Sequence, residues 1–264
     1  MARGRTQKVI AAHFDARGTH RRPEELIVEE PLEIRLDDTL VTTTMRTPGH
    51  DFELAAGFCF TEGLLAGAGV QTCRYCGTGS AVETEFNVVS VETGGRAPRP
   101  TPRLTTTTSS CGICGSRSIE DLTARLLPLR VEPYPPEVLA LVPDRARTDQ
   151  PLFDETGGVH AAACFDRDGT VTTLREDVGR HNAVDKVVGN LLLDHELPAG
   201  DFGLYVSGRA SFEIVQKAWA AGFAAVVAVS APSSLAVETA RQANLQLAGF
   251  ARDGAVNLYS EVAG

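Results

Sequence analysis

Two cysteines, Cys111 and Cys114, stand in Ser109-Ser110-Cys111-Gly112-Ile113-Cys114-Gly115, behind the polar run Thr105-Thr106-Thr107-Thr108. Thiols at this spacing can close a tight disulfide, share a metal ion, or hand a sulfur atom from one to the other. A helix is expected over 118–127, and a helix N-terminus close by stabilises a thiolate. The hydroxyl-rich approach and the flanking glycines argue against burial in an apolar core. A redox pair of thioredoxin type belongs in an early strand–helix unit, whereas this pair follows about a hundred residues of chain. A second pair, Cys73 and Cys76, is followed by Gly77 much as Cys114 is followed by Gly115. Together the two pairs could supply four thiolates to structural zinc. From spacing alone, sulfur transfer, zinc binding and redox exchange all stay open.

The second group of candidates is cationic. Thr156-Gly157-Gly158-Val159-His160 joins flexible backbone to an imidazole, and glycines let backbone amides approach a ligand closely. Glu176-Asp177-Val178-Gly179-Arg180-His181-Asn182 places two acids, a guanidinium and an imidazole at an expected helix start, with Asp185 and Lys186 one turn on. That helix N-terminus with Arg180 and His181 suits a phosphate, and Asp177 or Asp185 could orient His181. Helix capping and solvated ion pairs use the same residue types. Arg209, in Ser207-Gly208-Arg209-Ala210-Ser211, and the segment Ser230-Ala231-Pro232-Ser233-Ser234 tilt the balance towards a ligand. Phe250-Ala251-Arg252-Asp253-Gly254-Ala255 adds Arg252 as a phosphate reader, although a plain hairpin turn explains it equally well. His13, His20, Met45 and Trp219 carry no specific signal.

Those loops need elements to hold them. Strand character at 26–36 and 40–45 flanks Asp37-Asp38 and predicts a hairpin, with a helix over 52–65 and a further strand at 86–91. Cys59 falls on the apolar face of that helix and reads as a small core residue. Five prolines between Pro128 and Pro143 leave room only for short regular elements and mark a connection. Beyond it, strands at 159–165 and 171–174 meet across Asp166-Arg167-Asp168-Gly169, and 180–193 is the clearest helix. Strands at 202–206, 224–229, 245–250 and 255–259 then alternate with helices at 212–221 and 234–244. This order predicts a layered α/β domain with a substantially parallel sheet, whose strand carboxyl ends favour ligands. The expected organisation is a flexible solvated arm (1–25), an N-terminal β-rich lobe (26–127), a proline-rich connection (128–149) and an α/β cofactor-binding core (150–264).

The whole chain sets outer bounds. With 25 basic and 34 acidic residues the formal charge is −9, which argues against nonspecific nucleic-acid binding or attachment to acidic lipid. A phosphorylated small ligand needs only a local basic pocket. Six cysteines among 264 residues do not suggest a secreted disulfide scaffold. Neither a membrane helix nor a signal-peptide core stands out, so the cytoplasm is the expected compartment.

Taken in order, these motifs resemble one family. Glu29-Glu30-Pro31-Leu32, Thr47-Pro48-Gly49-His50-Asp51 and Gly57-Phe58-Cys59-Phe60-Thr61-Glu62-Gly63 precede the Cys111/Cys114 segment. The His160 segment, the Glu176 to Lys186 segment, Ser207-Gly208-Arg209, Ser230-Ala231-Pro232 and Gly249-Phe250 follow it. The chain resembles, over residues 26–259, the sulfur carrier family required for formate dehydrogenase activity. That resemblance implies a cytidine-deaminase-like layered α/β core with an additional N-terminal β-rich lobe, and a homodimer. It implies a sulfurtransferase that accepts persulfide sulfur from a cysteine desulfurase. Delivery would be to the molybdenum, or tungsten, bis-guanine-dinucleotide cofactor of formate dehydrogenase. Cys111 would be the persulfide carrier and Cys114 its relay, with Phe250, Ala251, Arg252, Asp253, Gly254 and Ala255 in the cofactor-binding region. By chemistry, His160, Arg180, His181, Lys186 and Arg209 are assigned around the same ligand. No H-x-E precedes Cys111 and Ser110 takes the proline position, so the zinc deaminase signature is absent. Cys73/Cys76 departs from the family pattern and leaves zinc open, with a non-catalytic zinc-binding or cofactor-chaperone protein as the competing reading.

Overall fold

A computed structural model of the chain describes residues 4–75, 85–100 and 126–262. Cys76, Cys111, Cys114 and most of the helix expected over 118–127 lie outside the described residues.

The centre is a mixed six-stranded sheet ordered β12-β11-β10-β9-β7-β8. Its strands are β7 (His160–Phe165), β8 (Val171–Asp177), β9 (Gly203–Val206), β10 (Ala225–Ala228), β11 (Gln246–Arg252) and β12 (Ala255–Ser260). Only the adjacent pairs β9–β10 and β10–β11 are parallel; β7 and β12 flank these strands antiparallel. The expected parallel sheet is therefore parallel only in its middle, because the hairpins β7–β8 and β11–β12 each return the chain beside itself. At the first turn Asp166 Oδ1 accepts from the amides of Asp168 (3.0 Å) and Thr170 (2.8 Å), and Gly169 takes φ +75°.

Alternation in the buried strands gives the sheet two apolar faces. Ala162, Cys164, Leu204, Val206 and Val226 meet the helices α4 (Arg180–Leu193), α5 (Phe212–Ala221) and α6 (Ser234–Ala243). Ala163, Phe165, Tyr205 and Val227 meet α2 (Pro136–Arg147) on the other side. That helix corrects the expectation of only short elements at 128–149. Pro136 sits at its first position, where a missing N–H costs nothing, and buried Leu139, Val142 and Ala146 hold it to the sheet despite the internal Pro143. A short helix α3 (Pro151–Thr156) follows, its first turn capped by Glu176, whose carboxylate accepts from the Leu152 and Phe153 amides at 2.9 and 2.8 Å.

The N-terminal lobe is a four-stranded sheet, β4-β3-β6-β5, built from β3 (Glu30–Leu36), β4 (Thr39–Arg46), β5 (Thr72–Tyr75) and β6 (Val88–Glu92). Asp37 and Asp38 form the two-residue β3–β4 turn at φ +45° and +59°, which aspartate tolerates. Helix α1 (Asp51–Thr61) packs on this sheet through Leu54, Ala55 and Cys59, the last a fully buried core residue. On its other side α1 meets α4 almost backbone to backbone. A Cβ on Gly57 would lie 1.9 Å from the Asp185 carbonyl oxygen, and one on Gly189 would lie 1.8 Å from that of Glu53. The lobe and the core thus share one tight helix crossing.

The first residues differ from the solvated arm expected for 1–25. β1 (Thr6–Asp15) and β2 (Gly18–Ile27) pair antiparallel along their whole length. Charge-rich β2 gave no strand signal, and cross-strand pairing stabilises it instead. Ile27 packs under Gly158, and the Thr6 hydroxyl reaches Glu155 at 3.1 Å.

Candidate functional site

Because β7 is antiparallel to β9, its first residue, His160, lies at the carboxyl end of the parallel strands. The loops there are stitched together by main-chain bonds. Ser207 N donates to Ala161 O (2.9 Å), Ser230 N to Gly208 O (3.2 Å), Ser233 N to Ala210 O (3.0 Å) and Phe250 N to Ser230 O (3.2 Å). The Ser207 hydroxyl also accepts from the Ala161 amide at 2.9 Å. β8 ends at Asp177, opposite His160, and delivers the start of α4 to the same rim. Five segments distant in sequence thereby meet at one edge of the sheet, the carboxyl end of its parallel strands, a favoured place for ligands.

A cavity of about 640 Å³ opens at this edge. His160, Ser207, Ala251, Arg252 and Asp253 line one side, and Asp144 and Arg147 of α2 line another. Its volume falls in the usual range for small-molecule sites, roughly 300–1,000 Å³. Phe250 beside it is 40% exposed and held at φ +52°, a conformation rare for an aromatic residue. Asp253 and Gly254 make the β11–β12 turn at φ +52° and +71°, with Arg252 paired to Ala255.

The structure does not gather all the cationic candidates. Arg180 and His181 sit at the start of α4, outside the cavity lining but close enough for their charges to bear on His160. Burial lowers the His160 pKa, and Arg180 and His181 lower it further against a weaker pull from Asp177, so the ring is neutral near pH 7. Arg180 Nε is buried without a hydrogen-bond partner among the described residues. Arg209 is exposed on the loop after β9. His181 is oriented by neither Asp177 nor Asp185: its Nε2 lies 2.8 Å from Glu213 Oε2 of α5. No local pattern announced Glu213, which lies 32 positions away in sequence.

Lys186 is the clear departure. It is fully buried, 2.7 Å from Asp177 Oδ2, and donates to the Thr47 carbonyl at 3.0 Å. Asp177 in turn accepts from the amides of Thr47 (3.2 Å) and Gly179 (2.8 Å) and from Asn182 Nδ2 (2.9 Å). The lysine holds the loop that starts α4 and binds it to the Thr47 segment; it does not face the cavity. Asp185 is likewise structural, pairing with Lys217 at 2.9 Å and with the Thr61 hydroxyl at 2.8 Å. Burial alone would lower the Lys217 pKa, but Asp185 and Glu62 more than offset it and hold the amine above its usual range.

Of the cysteines described, Cys59 and Cys164 are buried and Cys73 is half-buried on β5. Burial, with a contribution from Glu92, pushes the Cys73 thiol up to about 11, so it is protonated near neutral pH. The chain re-enters the described region at Leu126; Trp219 Nε1 donates to Leu127 O at 2.8 Å. This anchors the return from the Cys111/Cys114 segment against α5.

The family profile of FdhD/NarQ matches residues 27–263. The chain belongs to the FdhD/NarQ family. Among its FdhD/NarQ relatives, the sulfur carrier protein FdhD of Streptomyces coelicolor is 50% identical over 267 residues, covering 96% of this chain and 93% of that one. The sulfur carrier protein FdhD of Mycobacterium tuberculosis is 44% identical over 265 residues, 94% of each chain. A crystal structure of a protein assigned as a formate dehydrogenase accessory protein, from Desulfotalea psychrophila, superposes with a TM-score of 0.78 at 23% identity. It covers 97% of this chain and 98% of that one, and shows that the two share their fold.

Proposed function

We propose that this FdhD/NarQ member is a sulfur carrier in which Cys111 receives the outer sulfur of a cysteine desulfurase persulfide. It is a sulfurtransferase: the Cys111 thiolate attacks the outer sulfur, the desulfurase thiolate leaves, and a persulfide remains on Cys111. Attack by the Cys114 thiolate on the inner sulfur then releases hydrosulfide and leaves a Cys111–Cys114 disulfide, which a cellular thiol reductant reopens. The recipient is the molybdenum or tungsten bis-guanine-dinucleotide cofactor of a formate dehydrogenase, bound as cargo at the strand-end rim.

The observation that carries the cargo site is the convergence of the His160, Arg180, Ser207, Ser230 and Arg252 segments around one cavity. Arg252 and the Ser207 hydroxyl suit phosphate or ribose oxygens, and Asp253 or Asp144 can accept from a guanine edge. Arg180, whose buried Nε has no partner among the described residues and which starts a 14-residue helix, suits a further phosphate. Lys186 is left out of this set. We further read the core as cytidine-deaminase-like in fold but not in chemistry, the working unit as a homodimer, and the compartment as the cytoplasm. Among the described residues no helix is long and apolar enough to cross a membrane. The Cys73 thiol, turned towards the lobe core, supports a packing role over zinc binding.

The test is mass spectrometry after incubation with a cysteine desulfurase and cysteine. A sulfur adduct of about 32 Da on the peptide containing Cys111, lost in Cys111→Ala, is expected. An adduct on another cysteine, with normal activation of apo-formate dehydrogenase by Cys111→Ala, overturns the assignment.

A further inference from the structure

All of the hairpin β1–β2 but its last residue lies ahead of the stretch matched by the family profile, which begins at residue 27. His13 and His20 are direct cross-strand partners, and Asp15 follows His13 by two positions on the same face. The two imidazole rings stand edge to face with centroids 5.0 Å apart. One ligand atom from each of His13, Asp15 and His20 lies within 4.8 Å of the others.

We propose that His13, His20 and Asp15 form a binding site for one divalent transition-metal ion, of the zinc or nickel class. Two imidazoles and one carboxylate match the nitrogen and oxygen preference of these ions rather than that of calcium or magnesium. Zinc–nitrogen bonds of about 2.0–2.1 Å set tetrahedral donor atoms a little over 3 Å apart, so small side-chain rotations close the site. The strand pairing supplies the pre-organisation, since the register fixes both histidines before any ion arrives.

A competing contact is modest. Arg17 donates from its backbone amide to Asp15 Oδ1 at 2.8 Å and from its side chain to Oδ2 at 3.1 Å. The Arg17 guanidinium is solvent-exposed, and such an ion pair yields readily to a metal. His20 is exposed, while His13 and Asp15 are half-buried, so the fourth coordination position opens to solvent. The site takes water there, or a donor from an approaching partner.

The full-length protein, labelled at its histidine rings, is to be titrated with zinc chloride and followed by NMR. Saturable movement of the His13 and His20 ring nitrogens at one equivalent is expected. Cobalt substitution should add a d–d band that His13→Gln/His20→Gln removes, with no sulfur-to-metal charge-transfer band belonging to it. Rings that do not move at stoichiometric zinc overturn the proposal. So does a cobalt spectrum unchanged in the double variant, which would assign the ion to cysteines.

Discussion

Replacing Lys186 by methionine separates two roles that the sequence leaves entangled. If the lysine holds the Asp177 loop, its loss strands a fully buried carboxylate, since both side chains are wholly enclosed. Removing one partner of a buried ion pair costs about 3–5 kcal/mol. Asp177 keeps three donors, from Thr47, Gly179 and Asn182, so the lower end, about 3 kcal/mol, applies here. For a chain of this size each kcal/mol moves the midpoint by about 2–4 °C, so Lys186→Met should melt roughly 6–12 °C lower. Adding Asp177→Asn removes the stranded charge but turns an amide N–H towards the Thr47 or Gly179 donors; we expect it to recover roughly half of the loss. Thermal unfolding by circular dichroism reads the midpoint, and titration with GDP on the folded variant reads the site. Wild-type melting combined with lost GDP affinity would refute the buried-pair reasoning and return Lys186 to the ligand set.

Gly189→Ala should destabilise the protein by about 1–3 kcal/mol, overpacking at the α1–α4 crossing outweighing a gain in helix propensity of about 1 kcal/mol. A urea midpoint equal to or above that of the parent would contradict the close approach. His160 offers a proton-linked test. Its pKa is lowered by burial and by Arg180 and His181, so protonation favours the unfolded chain. Stability from this group is complete above the ordinary histidine value of about 6.5 and declines as pH falls below it. An anionic ligand reverses the electrostatics and should draw a proton onto the ring below neutral pH. Calorimetry in buffers of different ionisation enthalpy should show uptake on GDP binding that His160→Gln abolishes; equal uptake by the variant would remove His160 from the site.

Much of the core was legible because its signals are local. The alternation of strands and helices from Gly203 onward, the Asp37-Asp38 turn and the apolar stripe of α1 each follow from short-range pattern. The rim was legible too, as strand-end loops converge by topology. What sequence could not show was direction. α4 is covered by β7 and β8 on one flank and by α1 on another, so Lys186 points inward while Arg180, six residues earlier, lies near the rim. Nor could spacing find Glu213 beside His181, because that contact depends on how α5 packs against α4. The β1–β2 hairpin is not legible in the sequence because its turn at Ala16-Arg17 lacks the Asn-Gly signature and β2 is charged. Without that pairing, His13 and His20 had no reason to be neighbours.

The glycine crossing has a mechanical corollary. Where two helices touch through their main chains, no side chain is left to re-pack, and slippage of one along the other is blocked. Any adjustment between the outer four-stranded sheet and the rim must therefore move α1 and α4 as a single lever, with Arg180 and His181 at its tip.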